Sequence, residues 1–524
     1  MIRPKHAVLA LSLANLCFMA YWVDFSRCSF LRPCPEIVDN LAVIADILLL
    51  GLAFCVLYTL ARLSRRRFLS EASKCAFVLV LVIPLNVLRK QVPAFRNLLG
   101  LANQTELTIA FAITLAIPAY VAVRWGRRVI PALASLVLVL FPFTFFTFGR
   151  VFTRWYAEKS EVWSPTALKS SLPSAPSPSH RRLLWMIFDE MDERLTFIDR
   201  PAGLKLPEID RLREESLWAA NAFPPGPGTS ISMPSLITGR VITRKQPENK
   251  RELMLMLEGG EDAKHGKDVP NLFARARALG YRTALVGWYL PYCKEMGSNL
   301  DFCRSFPLRY RDSDLPFFSL MVKRMDMVLS SVPFLDQIPY LRSLSLSQVR
   351  GVARVDIKTY EAFLQAAIPV AINQDFDLIL LHWPIPHRPG IYSRSRDDFD
   401  ASGRGTYVDN LALVDRTLRE LRQALEKAGV WDSTTILLSA DHWDRFSRQV
   451  DGKIGHRIPF LLKLAGQTTR LDYLRRFDTV ATHDLILSIL SGELQDPESV
   501  ARWLDQRNDP NPFAALDPAS PPPA

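Results

Sequence analysis

Carboxylate and imidazole side chains directly follow several apolar runs in the second half of this sequence. Asp189 and Glu190 follow one such run, and Asp441 and His442 follow another. These side chains are common ligands of divalent metal ions. A lone aspartate in this position would more often cap a helix or belong to a turn. Several at the ends of separate runs indicate a metal site, which we predict to contain Asp189, Asp441 and His442, with Glu190 as a further candidate.

Three histidines lie near the same runs. His382 and His387 belong to the segment HWPIPHRP, and His456 belongs to GHRIPF. His387 and His456 are candidates for binding substrate or a second metal ion. His382 alternates with apolar neighbours, so it could equally be a buried core residue. Three arginines could attract an anionic substrate or simply be solvated: Arg240, Arg388 and Arg445.

The segment GPGTSISMPSLITGR, residues 226–240, places hydroxyl groups ahead of an apolar helical stretch. A hydroxyl at the start of a helix is usually an N-cap. The same position also directs backbone N–H groups at an anion, which suits a nucleophile that attacks phosphate. Composition leaves both interpretations open for Thr229, Ser230 and Ser232.

The elements that must position these residues alternate between strand and helix patterns. Short continuous apolar runs, typical of buried parallel strands, occupy residues 183–188, 283–288, 377–383, 434–440 and 459–465. Helical patterns lie between them, as at residues 407–429. This alternation predicts an α/β domain with a largely parallel central sheet over residues 183–507. Functional residues of such sheets collect past the carboxyl ends of the strands, where the candidates lie.

Residues 1–149 have a different character. Five apolar runs occupy residues 7–23, 41–60, 75–88, 107–123 and 129–148. Crossing the ~30 Å hydrocarbon core of a membrane takes roughly 20 residues. The third run is short and contains Pro84, which makes it the weakest candidate. Because the runs follow one another closely, we predict an α-helical membrane domain of about five transmembrane helices rather than a set of buried core helices.

Lysine and arginine residues predict the orientation of this membrane domain. With the N-terminus inside, the cytoplasmic loops carry about ten of these residues and the opposite loops about five. Five spans then deliver everything after residue 148 to the outer side of the membrane. If the third run does not cross the membrane, the number of spans becomes even and the residues after 148 lie on the cytoplasmic side.

The composition excludes several classes of protein. Of 524 residues, 49% are hydrophobic and 22% are charged, and the mean hydropathy is +0.07, which excludes a disordered chain. The 7 cysteines are too few for a disulfide-built miniprotein of this length. Much of the net charge of +11 lies beside apolar runs, where it marks cytoplasmic loops, so we expect no nucleic-acid partner.

Two segments have the composition of irregular chain. Residues 150–182 contain the Ser/Pro-rich stretch SSLPSAPSPSH and are predicted to be a linker, and residues 508–524 are predicted to be a disordered tail. Two cysteine pairs are close enough in sequence to form disulfides in an oxidising compartment, with four free thiols as the alternative: Cys28 with Cys34, and Cys293 with Cys303.

Taken together, these residues resemble the alkaline phosphatase and sulfatase superfamily over about residues 181–490. Sulfatases carry a Cys-x-Pro-Ser-Arg segment followed by Thr-Gly. Residues 238–239 match that ending, and Thr229 then takes the nucleophile position. Asp189 and Glu190 match the Asp-Asp pair of sulfatases. The segment SADHW matches their Ser-Asp-His-Gly with tryptophan in place of glycine, and YVDNLALVDRTLREL resembles the preceding helix.

Departures from the sulfatase pattern narrow the resemblance. Thr229 and Met233 replace the Cys or Ser and the Arg of sulfatases, and threonine cannot be converted to the formylglycine aldehyde that sulfatases use. The imidazole of His442 suits Zn²⁺, or alternatively Mn²⁺, better than Ca²⁺. Sulfate ester hydrolysis is therefore disfavoured.

The predicted spans, linker and threonine nucleophile resemble the envelope phosphotransferases of bacteria. These include the lipid A phosphoethanolamine transferases and the phosphoglycerol transferases, among them the lipoteichoic acid synthases. The resemblance implies metal ligands at Asp189 (with Glu190), Thr229, Asp441 and His442. It also implies that His387 and His456 bind the substrate phosphate. These transferases commonly have Glu at the position of Asp189, which leaves the donor head group open.

The resemblance implies transfer of a phospholipid head-group phosphate ester to an envelope glycan or lipid through a phospho-threonine intermediate. The implied location is the bacterial inner membrane, multi-pass, with the catalytic domain on the periplasmic side. One alternative is a membrane-anchored hydrolase that uses the same site with water as acceptor. Another is a non-catalytic transporter or scaffold whose outer domain has lost its chemistry.

Overall fold

The structure is a computed structural model. It describes the following residues: 4–26, 37–63, 67–91, 104–158, 168–169, 181–247, 253–257, 262–264, 269–307, 317–333, 346–402, 404–507 and 513. The chain forms two units. The first comprises Met1–Cys28, Arg32–Val162 and Tyr310–Val349, and the second comprises the remainder of the chain.

Helices make up the N-terminal part of the first unit. They are α1 (Pro4–Cys17), α2 (Met19–Ser26), α3 (Ile37–Leu63), α4 (Arg67–Gln91), α5 (Gln104–Val139) and α6 (Pro142–Glu158). Over the described residues, 3 helices are long and apolar enough to cross a membrane, or 4 if α1 and α2, which meet at 58°, form one span. The predicted membrane domain is therefore helical, with fewer spans than the five expected.

The lower number of spans has a simple cause. The fourth and fifth apolar runs fall largely within one continuous candidate span, Ala112–Thr153, because nothing between Arg124 and Arg128 stops the helix. The third run is longer than the sequence indicates, since α4 carries 24 apolar-rich residues from Phe68 to Gln91. Pro84 lies inside this helix without ending it. The last helix, α6, runs beyond residue 149 into the predicted linker.

A central sheet of nine strands organises the second unit. The strands of the chain are β1 (Leu168–Lys169), β2 (Arg182–Asp189), β3 (Leu217–Ala219), β4 (Ala222–Phe223), β5 (Ile242–Pro247), β6 (Leu253–Leu257), β7 (Asp262–Lys264), β8 (Thr283–Tyr289), β9 (Phe302–Pro307), β10 (Leu378–Pro386), β11 (Tyr392–Ser393), β12 (Asp398–Phe399), β13 (Thr434–Ala440), β14 (Phe460–Lys463), β15 (Leu471–Tyr473) and β16 (Phe477–Asp478). The order in the central sheet is β1-β9-β8-β10-β2-β13-β14-β3-β15.

The middle of this sheet is parallel. Strands β9, β8, β10, β2 and β13 run in the same direction, while β1 and β14 pair antiparallel to their neighbours β9 and β13. All residues of β2 are buried, as expected for a parallel strand covered on both faces. The α/β domain with a largely parallel sheet is therefore confirmed.

Helices complete the second half of the chain. They are α7 (Pro207–Glu214), α8 (Thr229–Thr238), α9 (Leu272–Ala278), α10 (Tyr292–Met296), α11 (Phe317–Ser330), α12 (Leu346–Ile372), α13 (Tyr407–Lys427), α14 (Arg448–Asp451), α15 (Thr482–Ser491) and α16 (Pro497–Asp505). Helix α13 begins with a capping box between Thr406 and Asp409 and buries the predicted leucine face, which includes Leu411 and Leu418.

The domain boundaries differ from the sequence prediction in one respect. Residues 183–507 are predicted to form one domain, but Tyr310–Val349 belongs to the first unit, together with the N-terminal helices. Helix α11 in this segment packs against α3. Most of the predicted linker and of the predicted tail lies outside the described residues.

Cys293 and Cys303 form a disulfide that joins α10 to β9. The second predicted pair, Cys28 and Cys34, lies outside the described residues.

Reduction of the Cys293–Cys303 disulfide should destabilise the second unit. The bridge joins residues with a sequence separation of 10. Loss of a native disulfide typically costs roughly 2–5 kcal/mol, because the unfolded chain gains freedom. Dithiothreitol should therefore lower the melting temperature of the full-length protein. The double variant Cys293→Ala/Cys303→Ala should melt at that lower temperature with or without reductant. An unchanged wild-type melting temperature after complete reduction would contradict a stabilising role.

Candidate active site

The carboxyl ends of three neighbouring strands bring the predicted residues together. Strands β2 and β13 pair in register up to Phe188 and Ala440, so Asp189 and Asp441 emerge side by side. On the other side of β2, Pro386 of β10 pairs with Asp189, and His387 follows directly. The parallel register therefore produces the convergence that the sequence predicts.

Asp189, Asp441 and His442 form a compact buried group. One possible ligand atom of each lies within 4.8 Å of the others. His442 Nε2 is 3.4 Å from Asp189 Oδ1 and 3.6 Å from Asp441 Oδ2. Two carboxylates and an imidazole that converge in this way can hold a divalent metal ion.

Thr229 completes this group from a different element. It is the first residue of α8, which follows the N-cap Gly228. Its hydroxyl oxygen lies 3.5 Å from Asp189 Oδ1 and 3.4 Å from His442 Nε2. The preceding turn is tight, because a side chain at Gly226 would come within 2.5 Å of Ile231. The helix N-terminus adds partial positive charge where the carboxylates concentrate negative charge.

The electrostatics of the group fit a bound cation. Among the described residues, no hydrogen-bond donor reaches Oδ2 of Asp189 or of Asp441. Burial and the nearby charges of Asp441 and Glu190 raise the pKa of Asp189 well above its usual range. A divalent cation would compensate this charge and use the unsatisfied oxygens as ligands. The residues present therefore fit a metal held by Asp189, Asp441 and His442, with the Thr229 hydroxyl beside it.

The ring of His442 is oriented by its own backbone. His442 Nδ1 lies 2.9 Å from the carbonyl oxygen of Trp443, which can only accept a hydrogen bond. Nδ1 therefore carries the proton, and the lone pair of Nε2 points toward Asp189 and Thr229. Such a hydrogen bond fixes the tautomer that a metal requires.

Glu190 lies beside the group and interacts with different partners. Its carboxylate accepts a hydrogen bond of 2.9 Å from Arg445 and lies 4.0 Å from His387 Nε2. Its backbone is in the left-handed region, with φ of 64°. The Tyr407 hydroxyl donates to its carbonyl oxygen at 2.8 Å, and its N–H donates to Asp441. Such a conformation is unfavourable for a non-glycine residue and persists where the surroundings enforce it.

His382 lies on the same face of the sheet as the metal-ligand candidates. Its Nε2 is 3.9 Å from Asp441 Oδ2, and its Nδ1 is 2.7 Å from the Tyr292 hydroxyl. Burial lowers the pKa of His382 to about 4, so the ring is neutral. When Tyr292 donates to Nδ1, the ring proton on Nε2 faces the Asp441 carboxylate. His382 therefore borders the candidate metal group, although its Nε2 is too far from Asp441 for a hydrogen bond.

His387 lines a small cavity beside this edge of the sheet. The side chain of His387 packs against Trp288, with ring centroids 5.2 Å apart. Asp356, Thr359 and Ile391 also line the cavity. Since His387 also approaches Glu190, the cavity adjoins the candidate metal group.

The remaining candidates are more peripheral. The ring of His456 packs edge-on against Trp443, with centroids 4.7 Å apart. Arg388 donates to Asp444 at 2.9 Å, and Arg240 is exposed. Arg445, which pairs with Glu190, is the arginine that directly contacts a candidate site residue.

Two tyrosines near the group are missing from the sequence prediction. Tyr289 ends β8 with φ of 73°, and the charges of Asp189 and Asp441 add to burial in raising its pKa. Tyr292 contacts His382 from the helix that follows. The strand-end rule, if applied to β8 as well, would have pointed to Tyr289, because it also lies at a carboxyl end.

Comparison with known proteins identifies the family. The family model described as Sulfatase matches residues 189–491, which is more than half of the chain. No curated protein sequence matches the chain.

Several solved structures are similar at low identity. A protein in the alkaline phosphatase superfamily from Vibrio parahaemolyticus has 16% identity and a TM-score of 0.37, and the match covers 66% of this chain and 75% of that chain. The phosphonate monoester hydrolase of Agrobacterium radiobacter has 14% identity and a TM-score of 0.35, and the match covers 59% of this chain and 74% of that chain. The lipoteichoic acid synthase LtaP from Listeria monocytogenes has 12% identity and a TM-score of 0.36, and the match covers 60% of this chain and 72% of that chain.

Removal of one ligand candidate should abolish metal binding. We expect His442→Ala and Asp441→Asn to lose bound metal, measured by elemental mass spectrometry of purified full-length protein after incubation with Zn²⁺. His483→Ala is the matched control, since His483 is also buried but contacts Arg275 and Asp484 instead. This control should keep its metal. Equal metal content in all variants would refute the ligand assignment.

Metal binding should release protons, and affinity should rise with pH. Without a cation the pKa of Asp189 is raised, so a fraction of the protein molecules carries a proton on this carboxyl group. These molecules must release the proton when a cation binds. Zn²⁺ titration calorimetry in buffers of different ionisation enthalpy measures this proton release. Asp189→Asn should release fewer protons and bind more weakly. Affinity that is independent of pH would exclude this linkage.

Proposed function

The chain belongs to the sulfatase family, and we propose that it is a membrane-anchored, metal-dependent phosphotransferase. It would move a phospholipid head-group phosphate ester, phosphoethanolamine or phosphoglycerol, to an envelope glycan or lipid. The observation that carries the proposal is the hydroxyl of Thr229, which lies within 3.5 Å of both Asp189 and His442 at the start of a helix.

The nucleophile position argues against sulfate ester hydrolysis. Threonine has a methyl group on the carbon that bears its hydroxyl, so it cannot form the aldehyde that sulfatases require. Its hydroxyl is suited to direct attack on phosphorus. Met233 also replaces the arginine of the sulfatase segment. The chemistry of these side chains therefore favours phosphate transfer within this family.

The ligands of a cation would be Asp189, Asp441, His442 and the Thr229 oxygen. A bound cation would activate the threonine hydroxyl and polarise the phosphodiester. Zn²⁺ or Mn²⁺ fits this mixed oxygen and nitrogen set. The N-terminus of α8 adds backbone N–H groups that can stabilise negative charge on the equatorial oxygens of phosphorus.

The reaction would proceed in two displacements. In the first, Thr229 Oγ1 forms a bond to phosphorus while the bond from phosphorus to the lipid alcohol breaks. The proton of the threonine hydroxyl ends on that alcohol. In the second, an acceptor hydroxyl forms the new bond to phosphorus, and its proton ends on Thr229 as the phospho-threonine is cleaved.

His387 would move protons in both steps. Its imidazole lies 4.0 Å from the Glu190 carboxylate and lines a small cavity. Burial lowers the pKa of His387, so a neutral ring can accept a proton from the incoming acceptor. The acceptor or the leaving group would approach beside Trp288, which packs against His387. His456, against Trp443, would bind phosphate at the outer edge of the site.

The apolar helices of the first unit support a lipid donor. An enzyme with helices able to cross a membrane shares that membrane with its phospholipids. We place the catalytic half on the outer side, in the periplasm of a bacterium with the helices in the inner membrane. The lysine and arginine bias supports this location if residues 107–123 and 129–148 cross the membrane separately, because four spans would leave the catalytic half on the inner side.

Two alternatives have specific consequences. A membrane-anchored hydrolase would use the same residues with water in the second step, and head group would be released without an added acceptor. A non-catalytic scaffold would have no reason to bring Asp189, Thr229, Asp441 and His442 together in one buried group, which disfavours it.

Thr229→Ala should abolish head-group transfer because the nucleophile is lost, while bound metal is retained. The measurement is the intact mass of full-length protein after incubation with mixed membrane phospholipids. The wild-type protein should carry an adduct on Thr229 whose mass identifies the head group, and Ser230→Ala should carry it as well. Turnover by Thr229→Ala would remove Thr229 from its proposed role.

The same incubation separates transfer from hydrolysis. Head group released in the absence of acceptor, with no adduct, would favour the hydrolase. An adduct that persists until a glycan or lipid acceptor is added would favour the transferase. Neither adduct nor release, with metal bound, would contradict a phospholipid donor.

A further inference from the structure

Helix α11 turns a stripe of apolar side chains outward and buries charged side chains on its other side, together with Leu320 and Val328. Its exposed side chains include Phe318 at 74%, Val322 at 44% and Leu329 at 52%. These positions follow helical spacing and form a single apolar stripe along one side. In water, such a stripe would be expected to face the protein core.

The opposite side of α11 contains the buried charges. Asp326 is 6% exposed, and Arg324 forms an ion pair with Asp39 of α3, which is also buried. The Arg324 guanidinium also lies 5.4 Å from the ring centroid of Tyr21. Charged groups that turn inward while apolar groups turn outward are typical of a helix surrounded by lipid.

Helix α3 has the same pattern. Its exposed leucines include Leu48, Leu52 and Leu57, while Asp39 and Asp46 are buried. Because α3 is long and apolar enough to cross a membrane, its exposed leucines would face acyl chains. Helix α11 packs directly on α3, and its Val328 joins the buried cluster that contains Val43 and Ile47 of α3. The exposed stripe of α11 and the exposed leucines of α3 therefore belong to the same helical assembly.

The contacts of α11 lie at one end of the helix bundle. Asp39 is in the first turn of α3, and Asn86, near the end of α4, donates to the carbonyl oxygen of Ser331 at 2.9 Å. The start of α3 and the end of α4 lie near each other, because Arg324 contacts the first and Ser331, directly after α11, contacts the second. With 14 residues, α11 is about 21 Å long, too short to cross a ~30 Å core.

We propose that α11 is an interfacial membrane helix whose stripe of Phe318, Val322 and Leu329 is inserted among phospholipid acyl chains at one face of the membrane. The ion pair of Arg324 with Asp39 holds the helix on the bundle with this stripe outward. The chain thus has a lipid-contacting element in the interior of the sequence that otherwise forms the catalytic half. This inference concerns membrane contact and does not depend on the reaction proposed above.

Site-specific photocross-linking in lipid vesicles tests this contact. Benzoylphenylalanine replaces Phe318 or, in a second variant, Val322 in the full-length protein, which is reconstituted in phosphatidylcholine and phosphatidylglycerol vesicles and irradiated. The same residue at Leu52 of α3 is the reference for lipid contact. Leu279, which is 50% exposed in the second unit, is the control for an exposed leucine outside the bundle.

We expect phospholipid adducts at positions 318 and 322 at a yield similar to that at position 52, and none at position 279, by mass spectrometry of the peptides. Lipid adducts at 52 without adducts at 318 and 322 would overturn the proposal. Cross-links from 318 to protein instead of lipid would also overturn it, because a second copy of the chain or another segment would then cover the stripe.

Discussion

The two carboxylates at the ends of β2 and β13 impose the main constraint on the catalytic unit. Asp189 and Asp441 are both fully buried and lie side by side, with one oxygen of each lacking a hydrogen-bond donor among the described residues. Burying an uncompensated charge costs several kcal/mol per ion. The arrangement is therefore favourable only with positive charge close by. A cation, the N-terminus of α8 and the outer arginine Arg445 all act in this direction.

The neighbouring residues are arranged around this charge. His382, which contacts the Tyr292 hydroxyl, lies 3.9 Å from Asp441, and Tyr407 donates a hydrogen bond to the carbonyl oxygen of Glu190. Glu190 in turn directs Arg445 toward the mouth of the site. The side chain of Arg445 is about half exposed, at 49%, so it can meet an anionic substrate without losing all of its hydration. The site thus changes from buried negative charge inside to positive charge at its entrance, which suits a phosphate group between the two.

Sequence reasoning finds much of this site, because buried parallel strands are continuous apolar runs and the rule about their carboxyl ends needs no further information. Asp189, Asp441 and His442 follow such runs directly. Thr229 requires the family resemblance, since a hydroxyl at a helix start is ambiguous by itself. Tyr289 has no charge to mark it. The number of spans is overestimated because the arginines between residues 124 and 128 are compatible with a continuing helix.

The orientation of helix α11 cannot be predicted from its local sequence pattern. A short segment with Lys323, Arg324 and Asp326 reads as part of a soluble domain, and its periodicity indicates an amphipathic helix without saying which side faces the interior. The direction is decided by Asp39, almost three hundred residues earlier, because a buried carboxylate requires a buried cation as partner.

Transfer rather than hydrolysis requires that an acceptor reach phospho-threonine before water does. Thr229 is only 5% exposed, and the buried group around it leaves little room for bulk water. Trp288, which packs against His387, offers an apolar surface on which an acceptor could exclude water as it binds. In an in-line displacement, the lipid alcohol leaves phosphorus on the side opposite the Thr229 oxygen, and the acceptor must attack from that same side. The two groups must therefore occupy this position in turn. Departure of the first lipid product would clear this position for the acceptor, so a membrane-anchored unit would be consistent with the proposed covalent intermediate.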